Sequence, residues 1–162
     1  MKKKINKNLT LYFTDNYPFM NKRRLNYKYT ITLGIGGNIG DVKQRFDILF
    51  NMLKSNSKVH IQKTSPILKN PPFGYTKQDD FLNAIIKLQT NLSPSEVLRL
   101  CWHYENRLKR QRSFKNAART LDIDIIFIYK TNRFLKINKK NLIVPHLGYK
   151  NRQSVLIPLK YV

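Results

Sequence analysis

The chain has 162 residues, with 31 Lys+Arg against 9 Asp+Glu, a formal net charge of +22. Its 41% hydrophobic and 25% charged residues suit one globular domain with a real core and exclude a disordered chain. The single cysteine, Cys101, excludes a disulfide scaffold and any multi-cysteine zinc site, and points to a reducing, cytoplasmic setting. The charge asks for an anionic partner: nucleic acid, a membrane surface or a phosphorylated small molecule. A membrane fits worst. The longest apolar run, Ile125 to Tyr129, falls far short of the ~20 residues of a spanning helix, and the apolar stretch after Lys2-Lys3-Lys4 is too short and too broken for a signal peptide.

Residues 1–28 hold eight basic residues, one acid and no clean periodicity, and read as a basic N-terminal extension, irregularly packed or partly mobile. Residues 29–162 read as a single domain. Ile31, Leu33 and Ile35 alternate with Thr32 and Gly34, the pattern of a strand. The turn Gly36-Gly37-Asn38-Ile39-Gly40 then leads to Asp41, a helix cap, and Val42, Phe46, Leu49 and Leu53 recur at helical spacing to about Lys54. That turn lacks the spacing of a dinucleotide fingerprint and the Lys-Ser/Thr pair of a P-loop, so it is a structural turn.

Val59 to Leu68 reads as a second strand and Asp80 to Thr90 as a third, with the loop Asn70-Pro71-Pro72-Phe73-Gly74 between them. Ser93-Pro94-Ser95-Glu96 is a capping box for a second helix, whose stripe is Val97, Cys101, Tyr104 and Leu108. A basic loop and a fourth strand, Leu121 to Tyr129, complete the order βαββαβ. This predicts an α+β, ferredoxin-like core: a mostly antiparallel sheet with both helices on one face, the other left to loops and the C-terminal segment.

The chemistry concentrates in Leu121-Asp122-Ile123-Asp124-Ile125-Ile126. Alternation turns Asp122 and Asp124 to one side and Leu121, Ile123 and Ile125 to the core. Side-by-side carboxylates repel unless a cation or proton lies between them, and Mg²⁺ takes a few carboxylates plus substrate phosphates. A solvated strand face is the plain alternative. Yet only nine acids exist, none follows Asp124, and six basic residues run from Arg107 to Arg119 just upstream. Arginines fork onto phosphate oxygens, and Arg119, three residues before Asp122, is the foremost candidate. On the third strand Phe81 and Asn83 share the side opposite Leu82, Ala84, Ile86 and Leu88, a ring beside an amide that suits a flat, hydrogen-bonding heterocycle.

Gly34-Ile35-Gly36-Gly37-Asn38, Asn70-Pro71-Pro72-Phe73-Gly74, Asp80-Phe81-Leu82-Asn83-Ala84, Glu105 through Arg112, Arg119-Thr120-Leu121-Asp122-Ile123-Asp124, Val144-Pro145-His146 and Asn151-Arg152 follow in order. With them the chain, from about Tyr29 to Leu159, resembles the 6-hydroxymethyl-7,8-dihydropterin pyrophosphokinases of folate biosynthesis. The resemblance implies transfer of pyrophosphate from ATP to the pterin hydroxymethyl group, with AMP released. It implies two Mg²⁺ ions on Asp122 and Asp124, and catalytic roles for Arg110, Arg119, Asp122 and Asp124. It further implies ATP contacts by Glu105, Arg112, Ile125, His146 and Arg152, and a pterin pocket of Asn70, Pro71, Phe73, Phe81 and Asn83. Ser154 stands where the family commonly has a stacking phenylalanine, with Phe114, Tyr149 or an N-terminal aromatic as substitutes. The expected partners are the two small-molecule substrates, with no nucleic acid, no membrane, and a monomeric chain.

Two rivals remain at this point. A basic RNA-binding module shares the ferredoxin-like order, but the first and third strands lack its paired aromatics, and two aspartates would face the nucleic acid. Another Mg²⁺-dependent nucleotidyl or phosphoryl transferase would share the Asp-x-Asp logic.

Overall fold

A computed structural model describes residues 1–109 and 117–162. The four strands and two helices expected in the sequence form the core. They are β3 (Tyr29–Gly37), α1 (Val42–Ser55), β4 (Val59–Thr64) with its continuation β5 (Ile67–Asn70), β6 (Phe81–Thr90), α2 (Pro94–Arg107) and β7 (Asp122–Lys130). In the sheet β3 lies between β6 and β7, and β4 and β5 both pair with β6, all antiparallel. This is the ferredoxin-like arrangement.

Both helices begin as their caps dictate. Asp41 accepts the Gln44 N–H at 3.0 Å, and Ser93 and Glu96 close a reciprocal capping box. Phe46, Leu49 and Leu53 of α1 and Val97, Cys101 and Tyr104 of α2 pack with Ile31, Leu33, Ile35, Ile123 and Ile125 in one cluster on the helix face of the sheet. Burial and the nearby carboxylates of Glu105 and Asp124 push the Cys101 thiol well up, so it stays a protonated, inert core residue.

Three features depart from the sequence reading. The expected strand Val59 to Leu68 is broken at Ser65-Pro66, because proline donates no ladder bond; the Ser65 hydroxyl instead accepts the Ile85 N–H at 2.9 Å. The face left to the C-terminal segment is covered by a short helix, α3 (Gln153–Leu159), which packs on β5 and β6. Val155 of α3 meets Ile85 and Ile126 there, beneath a bulge in β7 that puts Ile126 and Phe127 on the same side.

The third departure is the N-terminal segment, which has regular structure in place of irregular packing. β1 (Lys2–Lys4) and β2 (Thr10–Tyr12) form a hairpin that extends the sheet beyond β5. Strands of three residues are too short to show a period of two, which explains their silence in the sequence. The outermost strand is three exposed lysines, a sequence that repels further edge pairing. Tyr17 then enters the core completely, stacks near Phe46 and Phe50, and donates its hydroxyl to the Phe46 carbonyl at 3.0 Å. Replacing Tyr17 by Ala is expected to cost about 3–5 kcal/mol in urea unfolding, as for large core aromatics. A loss below about 1 kcal/mol would show that this segment is not anchored as described.

Candidate active site

The floor of the site is one row across three strands. Asp122 on β7 lies opposite Gly36 on β3, which lies opposite Asn83 on β6; Asp124 lies opposite Gly34 one step along. A Cβ on Gly36 would come 2.6 Å from the Asn83 side-chain oxygen, so the amide can stand over this strand only because the residue is glycine. Asp122 and Asp124 face the cleft while Ile123 and Ile125 are buried among the helices, as the alternation requires.

Arg119 is fixed at several points. Its guanidinium donates to Asp122 at 2.7 Å and stands 5.0 Å from the centre of the Phe81 ring. Its N–H donates to the Asn38 side-chain oxygen and its carbonyl accepts the Asn38 N–H, both at 2.9 Å. Arg45 of α1 donates to the carbonyls of Ile39 and Thr120, each at 2.9 Å. The glycine-rich turn after β3 therefore grips the backbone that carries Arg119. A Cβ on Gly37 would come 2.5 Å from the Thr120 carbonyl oxygen, so glycine is needed for that approach too.

Asp124 carries the electrostatic strain. Burial of its carboxyl, followed by the charge of Asp122, holds it above the usual carboxylate range, against the opposing pull of His146, Arg119 and Arg152. His146 Nε2 stands 3.9 Å from the Asp124 carboxylate, and its main-chain N–H donates to the Ile126 carbonyl. Its Nδ1 is buried with no hydrogen-bond partner among the described residues.

Two clefts meet at these side chains. The first is lined by Asn70, Phe73, Phe81, Asn83, Arg119 and Arg152 and encloses about 680 Å³, open solvent included. In it Asn83 donates to the Asn70 side-chain oxygen at 2.7 Å, and the Arg152 guanidinium sits 5.6 Å from the centre of the exposed Phe73 ring. The second is lined by Leu98, Trp102, Glu105, Ile123, Ile125 and Lys140. Asp122, Asp124 and His146 line both.

Most expected site residues thus converge. Pro71 is the exception: it accepts the Asn70 amide at 2.7 Å but lines a separate recess beside the N-terminal hairpin. Glu105 borders the second cleft but is only 3% exposed, and it accepts the Ile123 N–H at 2.7 Å, tying α2 to β7. Ser154 does line the first cleft. Arg110, Arg112 and Phe114 lie outside the described residues. Sequence reasoning missed Trp102 and Lys140. Trp102 had a signal: Leu98, Trp102 and Glu105 recur at i, i+4 and i+7, a second stripe beside the buried one.

The donor set fits a hard divalent ion completed by substrate oxygens. No cluster of three or more acidic, histidine or cysteine side chains able to hold a metal occurs among the described residues. Two carboxylates on one strand face are a donor set that Mg²⁺ accepts when phosphates and water supply the rest.

The site is thus a pair of carboxylates between two clefts, flanked by arginines, on a ferredoxin-like α+β domain. The chain belongs to the family described as 7,8-dihydro-6-hydroxymethylpterin-pyrophosphokinase (HPPK), which matches residues 32–162. It is 40% identical over 144 residues to a 2-amino-4-hydroxy-6-hydroxymethyldihydropteridine pyrophosphokinase of Campylobacter jejuni, covering 88% of each chain. The Helicobacter pylori protein of the same name is 41% identical over 145 residues, covering 88% of this chain and 86% of that one. A Bacillus subtilis protein of that name is 35% identical over 127 residues, covering 78% and 74%.

The raised Asp124 carboxyl has a consequence for stability. Its ionised form is penalised in the folded protein, so metal-free stability falls as pH rises through the carboxylate range. Asp124→Asn, which does not ionise, is expected to melt at a higher temperature than the parent at pH 7 without metal. The difference should shrink below about pH 4, where the unfolded chain also protonates its aspartates. A variant that melts lower at pH 7 would contradict the repulsion described.

Proposed function

We propose that the protein transfers the pyrophosphoryl group of ATP to the hydroxymethyl oxygen of 6-hydroxymethyl-7,8-dihydropterin and releases AMP, a step of folate biosynthesis. The meeting of two clefts at one carboxylate pair carries this reading. Such a transfer must align a ring-borne hydroxyl with the β-phosphorus, between two different ligands.

In this reading the first cleft takes the pterin. The amides of Asn70 and Asn83 meet its hydrogen-bonding edge, with Phe73 and Phe81 against its faces and Pro71 bracing Asn70. The second takes the nucleotide along Ile125 and beside Glu105. Asp122 and Asp124 would hold Mg²⁺, two ions by family resemblance, which would supply neutralisation of phosphate charge. Arg119, steadied on Asp122 and the Phe81 ring, points its remaining N–H groups at the phosphates, joined by Arg152, His146, Arg110 and Arg112.

The hydroxymethyl oxygen bonds to the β-phosphorus while the bond from that phosphorus to the oxygen of the α-phosphate breaks. AMP leaves with the bridging oxygen, and the hydroxyl proton passes to solvent or a phosphate oxygen. Positioning and charge compensation carry such a step, so no strong base is required. The protein works on these small molecules as a cytoplasmic monomer.

With ATP, Mg²⁺ and the reduced pterin, chromatography is expected to show AMP formed in proportion to pterin. ADP as product, or turnover without pterin, would overturn the reading. Asp122→Ala and Asp124→Ala should each lower the rate by roughly 10²-fold or more. Full activity in both would remove the carboxylates from the mechanism.

A further inference from the structure

The family match begins at residue 32, yet the segment before it packs behind two walls of the first cleft, on β5 and on α3. β2 pairs with β5 residue for residue, with Thr10 opposite Lys69, Leu11 opposite Leu68 and Tyr12 opposite Ile67. β5 is the four-residue strand that ends on Asn70, and Asn70 lies opposite Phe81. Without β2 it would be a short sheet edge, the kind of element that opens most easily.

The hairpin also holds the opposite wall. Leu9, Leu11 and Leu68 form an apolar cluster of their own, 5%, 1% and 0% exposed, with Phe13 and Ile157 packed on it. Ile157 belongs to α3, whose beginning presents Arg152 and Ser154 to the first cleft. The hairpin turn is shaped by Asn6, whose side-chain oxygen accepts the N–H groups of Asn8 and Leu9 at 2.8 and 2.9 Å. It faces Pro71 and Gln153 across a shallow recess. One element therefore touches the strand that carries Asn70 and the helix that follows Arg152. None of residues 1–13 lines either cleft, so the hairpin bears on the first through β5 and α3.

We infer that residues 1–13 are a positioning element of the first cleft, setting the spacing between Asn70 on β5 and Ser154 on α3 and so the affinity for the ring-bearing substrate. The assignment of that substrate rests on the pyrophosphokinase reading. The mechanism is packing: Leu11 and Leu9 act through β5 and α3 and need not touch the ligand.

The test uses the full chain with Leu11→Ala, and the milder Leu11→Val and Leu9→Ala should Leu11→Ala not fold. Below the melting transition, KM for the dihydropterin is expected to rise about 10-fold or more, with KM for ATP within about twofold. Amide exchange should quicken at residues 67–70 and 153–157 and stay unchanged along β7. Leu11→Met should restore both readouts. A folded variant with unchanged KM for the pterin, or with both KM values shifted alike, overturns the inference. If the parent protein makes no AMP from the pterin, the reaction assignment fails instead. The exchange measurement then decides alone, and unchanged rates at both stretches overturn the positioning role.

Discussion

Asp122 and Asp124 project from the same face of one strand, two residues apart, in a chain with nine acids among 162 residues. Like charges so placed cost folding free energy unless something positive lies against them. The protein supplies part of it: Arg119 is bonded to Asp122, and His146 and Arg152 act on Asp124. The described surroundings of the pair are arranged to keep it open and to hold Arg119 against it. Gly34 and Gly36 keep the floor beside the carboxylates free of side chains, and Asn38 and Arg45 hold the backbone that carries the arginine.

The sheet order explains why two ligands can meet there. β3 separates β6 from β7, so the carboxylates of β7 stand one strand away from Phe81 and Asn83 of β6, across Gly34 and Gly36. On the other side β7 faces α2, which brings Glu105 and Trp102 to the second cleft. The walls of the two clefts thus come from elements distant in sequence, which meet at the carboxylates of β7 and at His146. The main core packs Phe46, Leu49 and Leu88 with hardly any exposure.

The legible parts of the sequence were those with periodicity or a cap. β3, β6 and β7 alternate, α1 and α2 carry stripes and side-chain caps, and the acid pair stands out through its apolar neighbours. The parts that escaped lack both signals. α3 is seven residues long, contains Pro158 and has no side-chain cap, and β1, β2 and the paired strands Ile137–Lys139 and Leu142–Val144 have only three residues each. Such elements exist because tertiary contacts hold them, as Leu68 holds Leu11. For the site, spacing revealed the carboxylates and resemblance supplied the pterin side. The role of the turn after β3 was hidden, because Asn38 bonds to Arg119 across 81 residues of sequence.

The net charge also resolves into parts. Arg119 and Arg152 stand at the first cleft, and Lys140 at the second. Others lie away from both clefts: Lys63 and Lys87 stand opposite each other on β4 and β6, where burial first, then the charges of Lys63 and Arg24, lowers the proton affinity of Lys87. The claim on which all of this turns is that a divalent ion binds between Asp122 and Asp124 when the nucleotide is present. Mn²⁺ added with a non-hydrolysable ATP analogue to the ¹⁵N-labelled protein tests it directly. Selective broadening of the amide signals of Gly34, Gly36, Ile123 and Asp124, abolished in Asp124→Asn, is the predicted result. Sharp signals at these positions, with broadening centred on other acids such as Asp79 or Glu96, would contradict it.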